Sequence, residues 1–153
     1  MWPNNTVPEL YDRTLVPDPN SPWDFSRWTP EVVLINLATN DFWQENPDEI
    51  GWTQAYEAFI GRVRKHYPQA AIYCAIGTML DDSSPRKPLT TVRAYLQKVV
   101  ADEMAAGDKN VRLIDFGTQD PKNGLGANSH PSRKTHEIMA EELVETLRKD
   151  CGW

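Results

Sequence analysis

Two side chains stand where chemistry can be done without being consumed by packing. Asn40 follows the apolar run Val32-Val33-Leu34-Ile35-Asn36-Leu37-Ala38 after a single threonine, and His130 stands directly before Pro131 and a helix start at Ser132. An amide fixed at the end of a buried strand can donate hydrogen bonds into a crevice, as stabilising a developing oxyanion requires; one such donor is worth about 3 kcal/mol in the transition state. An imidazole, whose ordinary pKa is near ~6.5, is a natural general base at neutral pH. Each residue also has a plainer reading. Asn40-Asp41 fits a turn or cap after a strand, and a surface histidine beside a helix N-terminus is commonly inert.

Other groups are weaker. Asp41, Asp81, Asp82 and Asp120 fall near strand ends and offer oxygen ligands for a cation such as magnesium. His66 and His136 have no acidic or cysteine partner at metal spacing, so no metal centre or cofactor is expected. No glycine loop of phosphate-cradling spacing is present. Trp23, Trp28 and Trp43 flank the first apolar run, where they could stack on a sugar ring or simply pack.

These groups need a scaffold, and the pattern from Glu31 onward supplies one. The buried strand Val32 to Ala38 is followed by Trp52, Tyr56, Phe59, Ile60 and Val63 at helical spacing, stopped by His66-Tyr67-Pro68. A second strand, Ala71 to Ile76, leads to a helix that opens near Pro88, carries Val92, Leu96, Val99, Val100 and Met104, and ends at Gly107. A third strand, Val111 to Phe116, leads through the loop 118–130 to a helix capped by Ser132, with His136, Ala140, Leu143 and Leu147 on one face. Strand alternating with helix predicts an α/β fold on a parallel sheet with right-handed crossovers. In such sheets ligands bind beyond the carboxyl ends of the strands, which is where Asn40 and His130 lie.

The organisation expected is a Pro-rich arm over residues 1–30 and an α/β domain over 31–153. Pro3, Pro8, Pro17, Pro19, Pro22 and Pro30 break every element of the arm except a short Glu9 to Val16 segment. The crossovers put Val32 to Ala38 at a border of the sheet, although it carries no charge to protect an edge. Three explanations stay open: Glu9 to Val16 pairs there, a second copy of the chain pairs there, or earlier strands belong to a larger body.

Composition narrows the partners. Sixteen basic residues against 22 acidic ones give a net charge of −6, which excludes the electrostatic footprint of a nucleic-acid binder. No apolar run reaches the ~18 residues that span a bilayer, so no membrane partner is expected and the chain reads as soluble; secretion would be a property of a longer parent. Cys74 and Cys151 cannot make a disulfide framework and are read as unpaired.

The residues resemble a known family. The segment Val33 to Phe42 resembles the Gly-x-Asn-Asp block of SGNH (GDSL-type) hydrolases, and His130-Pro131-Ser132 their last block. Pro8 to Thr14, Trp23 to Ser26 and Phe116 to Pro121 are similar to segments of the family-two carbohydrate esterases, so the resemblance covers nearly the whole chain. It implies a three-layer, flavodoxin-like fold and removal of acetyl groups from carbohydrates or small acyl esters. Asn40 would be the oxyanion-hole donor, His130 the base, and Asn128 would stand where many relatives carry the aspartate that orients the histidine. Trp43 and Trp23 would bind substrate. Ala38 replaces the block's glycine, and the family's first block, Gly-Asp-Ser, is not found; the chain resembles the carboxyl half of such an esterase.

Two rivals accompany this reading. One is a catalytically impaired, carbohydrate-binding remnant that forms a homo-oligomer through the exposed first strand. The other is a magnesium-dependent phosphotransfer or phosphatase domain using the acidic loop residues.

Overall fold

The computed structural model describes residues 6–153. Three parallel strands, β1 (Val32–Asn36), β2 (Ala71–Ile76) and β3 (Val111–Asp115), lie in the order β1-β2-β3. All six residues of β2 are buried, as expected of a strand covered on both faces. Its register, Ile35 opposite Cys74 and Cys74 opposite Leu113, brings the carboxyl ends of all three strands to one level.

Helices α2 (Glu49–His66) and α3 (Pro88–Ala105) cover one face, and α4 (Arg133–Cys151) covers the other. Tyr56, Phe59, Ile60 and Val63 of α2 and Val92, Leu96 and Val99 of α3 join Ile35, Ile72, Cys74, Ile76 and Val111 in one core. Tyr73, Ala75 and Ile114 meet Leu143 and Leu147 on the opposite side. Each helix begins as its sequence specifies. Asp48 caps α2 by accepting from the Gly51 amide at 2.7 Å, Pro88 opens α3, and Ser132 caps α4 by accepting from the Thr135 amide at 3.2 Å. Arg64, Lys65 and His66 then meet the negative end of α2. Far along α4, Asp150 accepts from the Tyr73 hydroxyl at 2.9 Å and ties that helix to the middle strand.

Four expectations need correction. The first strand ends at Asn36 rather than Ala38, because Ala38 takes φ +90°, which no extended strand accommodates. The third strand ends one residue early, at Asp115. Met104 is exposed in the last turn of α3. On α4, Leu143 and Leu147 face inward as expected, but His136 and Ala140 are exposed and Thr135 and Met139 turn inward instead. The first half of that helix packs beside the loop after β3, where Thr135 and Met139 share a pocket with Thr118 and Gln119, and only its second half lies on the sheet.

Glu9 to Val16 does not pair with β1. Its first two residues end a short helix, α1 (Val7–Leu10), and Arg13 bridges Pro22 in antiparallel fashion. The arm around it packs on α2: Tyr11 meets Phe59 edge-on at 5.2 Å, Phe25 stacks on His66 at 3.6 Å, and Arg62 donates to the Pro8 carbonyl. Among the described residues β1 therefore has a neighbour on one side only, and Leu34 is 38% exposed.

Two measurements check this packing. Burial pushes the Cys74 thiol up to about 12, whereas Cys151 is half-buried near the end of α4. A thiol reagent at pH ~8 should therefore modify Cys151 in the native protein and Cys74 only on unfolding. Rapid labelling of both would contradict the packed centre. At Ala38, glycine accepts the positive φ without the clash that a Cβ brings, so Ala38→Gly should raise stability by about 1 kcal/mol in chemical denaturation. An unchanged or lower midpoint would show that the conformation carries no cost.

Candidate active site

Asn40 sits at the apex of a closed turn. The Phe42 amide donates back to the Ala38 carbonyl at 3.1 Å, and the positive φ of Ala38 starts the reversal. Phe42 is fully buried against Trp52 and Tyr95, with ring centroids at 5.3 Å and 5.7 Å, so the turn is anchored from beneath. Trp52 also donates its indole N–H to Asp41 at 3.0 Å. Asn40 itself is exposed. Beside it, Trp43 is 62% exposed with its carbonyl held by the Arg86 guanidinium at 3.2 Å.

The loop after β2 holds this turn from the side. Arg86 bonds the Phe42 carbonyl as well, at 3.3 Å, and its own carbonyl accepts from the Asn46 side chain at 2.7 Å. At the start of the same loop, Gly77 lets two loops approach: a Cβ there would lie 3.0 Å from Asn36 Oδ1 and 3.6 Å from Thr39 Oγ1. The loop then turns to the histidine side. The Thr78 carbonyl accepts from the Gln119 amide at 2.9 Å, and the Leu80 carbonyl accepts from the Thr118 hydroxyl at 2.8 Å.

His130 ends the loop that Gln119 begins. Its Nδ1 lies 2.9 Å from the Ala127 carbonyl, and a carbonyl only accepts, so the neutral ring carries its proton on Nδ1. Nε2 is left with its lone pair. Asn128 does not serve as the ring's partner; it takes φ +51°, followed by Ser129 at φ +61°, and these two left-handed residues form the bend that brings the Ala127 carbonyl under the imidazole. Gln119 Nε2 closes the arrangement by donating to the Ser129 carbonyl at 2.8 Å.

Asn40, Trp43 and His130 thus stand on loops at one end of the sheet, and the loop after β2 is bonded to both sides. Trp23 stands at the other end. Its amide donates to the Asp12 carbonyl at 2.7 Å, and Asp12 lies 3.4 Å from His66 at the last turn of α2, where the chain is about to enter β2. His136 is exposed on α4. The four carboxylates considered for magnesium are engaged apart from one another: Asp41 with Trp52, Asp81 with Ser83, Asp82 with Thr90, and Asp120 with the Lys122 amide. Hydrogen bonding to those partners holds the Asp81 and Asp82 carboxyls below the usual range. Among the described residues no three acidic, histidine or cysteine groups gather.

All six serines lie among the described residues, and none is bonded to the free nitrogen of His130. Ser21, Ser26, Ser83 and Ser132 bond to Leu15 and Asp18, Asp24, Asp81 and Asn123 respectively. Ser84 has a buried hydroxyl without a partner, and Ser129 is exposed next to the histidine. Sequence reasoning did not single out Arg86, Gln119 or the Ala127 carbonyl. Gln119 lay in the segment Phe116 to Pro121 that carried the resemblance; a main-chain acceptor leaves no mark on residue type.

Comparison with known proteins agrees with this architecture. Residues 3–138 match the GDSL-like Lipase/Acylhydrolase family. The chain is 38% identical over 151 residues to Cellulase/esterase CelE of Acetivibrio thermocellus, covering 99% of this chain and 18% of that protein. It is 24% identical over 148 residues to an acetylxylan esterase / glucomannan deacetylase of Cellvibrio japonicus, covering 96% and 38% respectively. A solved family two carbohydrate esterase from Clostridium thermocellum, in complex with cellohexaose, superposes with a TM-score of 0.92 at 38% identity over 99% of this chain and 45% of that one. The chain thus spans less than half the length of these relatives. A three-stranded parallel sheet layered between helices, with the Asn40 turn and the His130 loop at its carboxyl end and a family match over most of its length, makes this chain a member of the GDSL-like lipase/acylhydrolase family.

Proposed function

We propose that the chain is the part of an SGNH-type carboxylic ester hydrolase that carries Asn40 as oxyanion-hole donor and His130 as general base. Its substrate is an acetylated carbohydrate or a small acyl ester, seated against Trp43. The observation that carries the reading is the bond from His130 Nδ1–H to the Ala127 carbonyl, which leaves Nε2 of the neutral ring with its lone pair. This is the tautomer a base needs, reached with a main-chain acceptor in place of a carboxylate. Asn128 supports it by shaping the bend. The relatives' printed names, esterase and deacetylase, supply the substrate class.

A nucleophile hydroxyl adds to the acyl carbon while its proton passes to His130 Nε2, and the carbonyl oxygen becomes an oxyanion that accepts from the Asn40 amide. Collapse expels the sugar oxygen, which takes the proton back from Nε2. Where the nucleophile is a serine, water then repeats the sequence and releases acetate. A polymeric substrate places the working enzyme outside the cell, as secretion of a longer parent would. The described part of the arm, residues 6–30, braces on α2, and 31–153 form the domain that works.

A second reading, a sugar-binding remnant that self-associates, is favoured by one observation: the outer edge of β1 is unpaired with Leu34 partly exposed.

Acetyl release from p-nitrophenyl acetate and acetylated xylan tests the first reading. His130→Ala should lower kcat/KM by about 10³-fold and Asn40→Ala by about 10²–10³-fold. Unchanged turnover in both would remove their assigned roles. The remnant reading instead expects cello- or xylo-oligosaccharide binding lost in Trp43→Ala, no acetyl release, and a dimer by light scattering at micromolar concentration.

A further inference from the structure

We propose that Gln119 is a positioning residue for His130: its side-chain amide clamps the Ser129 carbonyl and so holds the bend that orients the imidazole. The inference rests on the reading of His130 as the base.

The bend is one the chain adopts reluctantly. Asn128 and Ser129 are consecutive left-handed residues, at φ +51° and φ +61°, and neither is glycine. Within the loop, the Gly126 amide donates to the His130 carbonyl at 2.8 Å, and Ala127 accepts from both the amide and the ring of His130. The side-chain bond that reaches the bend from outside comes from Gln119 Nε2, at 2.8 Å to Ser129. Gln119 is itself fixed, because its amide donates to Thr78 at 2.9 Å in the loop after β2. The clamp therefore runs from the middle of the sheet to the residue before the histidine.

Two further observations point to a dedicated role. Gln119 Oε1 is buried without a partner among the described residues, so the bond to Ser129 is the one polar contact that holds this side chain. The nitrogen must face Ser129, since the reversed amide would press oxygen against oxygen. Moreover, Gln119 borders a cavity of about 220 Å³, lined also by Thr78, Thr118, Thr135 and Met139. The start of the loop, around Gln119, thus borders open space, and the side-chain bond to Ser129 links that start to the bend.

The tautomer of His130 reads this role directly. Long-range ¹H–¹⁵N spectra of the three imidazoles, recorded near pH ~8.5 where histidine is ordinarily neutral, should show His130 in the Nδ1–H form in the unaltered chain. Gln119→Ala, and Gln119→Glu, which keeps the shape but replaces the donor with an acceptor, should both lose the dominance of that form in favour of Nε2–H. The His66 and His136 signals and the melting temperature should stay in place. Gln119→Met preserves bulk if alanine loosens the fold, and it should lose the tautomer equally. Retention of the Nδ1–H form in all variants would overturn the proposal while leaving His130 as base. Loss of the tautomer together with normal turnover in His130→Ala would instead overturn the base reading on which it rests.

Discussion

The loops that carry Asn40 and His130 are both referred to β2. A strand buried on both faces and paired on both sides has no freedom to slide, because a one-residue slip would turn Tyr73 and Cys74 to the wrong layers. The residues that follow it inherit that rigidity. Gly77, Thr78, Leu80 and Arg86 all lie on the segment leaving this strand, and they bond or abut the Asn40 turn on one side and the Gln119 end of the histidine loop on the other. Both loops are fastened to this same short span, in addition to the contacts the Asn40 turn makes with Trp52 and Tyr95.

The fastening is mostly main chain. Carbonyls of Phe42, Trp43, Thr78, Leu80, Ala127 and Ser129 are the acceptors, and the donors are the side chains of Arg86, Thr118, Gln119 and His130 together with the Gln119 main-chain amide. Arginine and glutamine suit this task, since each presents directional N–H groups at the end of a reach that spans from one loop to the next. The aromatic cluster of Phe42, Trp52 and Tyr95 does the corresponding work from below. It lets an otherwise exposed turn end in a buried anchor two residues past Asn40.

Much of this was legible in the residues. The runs Val32 to Ala38, Ala71 to Ile76 and Val111 to Phe116 are β-branched and apolar enough to read as buried strands, the first and third running slightly past their true ends, and Ser132, Pro88 and Pro68 mark helix limits by known backbone preferences. What escaped were features of conformation rather than of composition. The alanine at position 38 gives no hint that its φ is positive until its alignment with a glycine is set beside the structure. The inward face of α4 shifts because a loop, not a strand, lies under its first turns, and helical periodicity assumes one partner throughout. The Pro-rich arm reads as structureless because its order is borrowed from Phe59, Arg62 and His66 of α2.

The acceptor beneath the imidazole belongs to the backbone at Ala127. A carboxylate in that place can be lost by one substitution, whereas a peptide oxygen survives any exchange of the side chain that bears it. The tautomer of His130 is therefore a property of loop curvature, and residue 127 is free to drift under mutation so long as the path through 128 and 129 is conserved in shape.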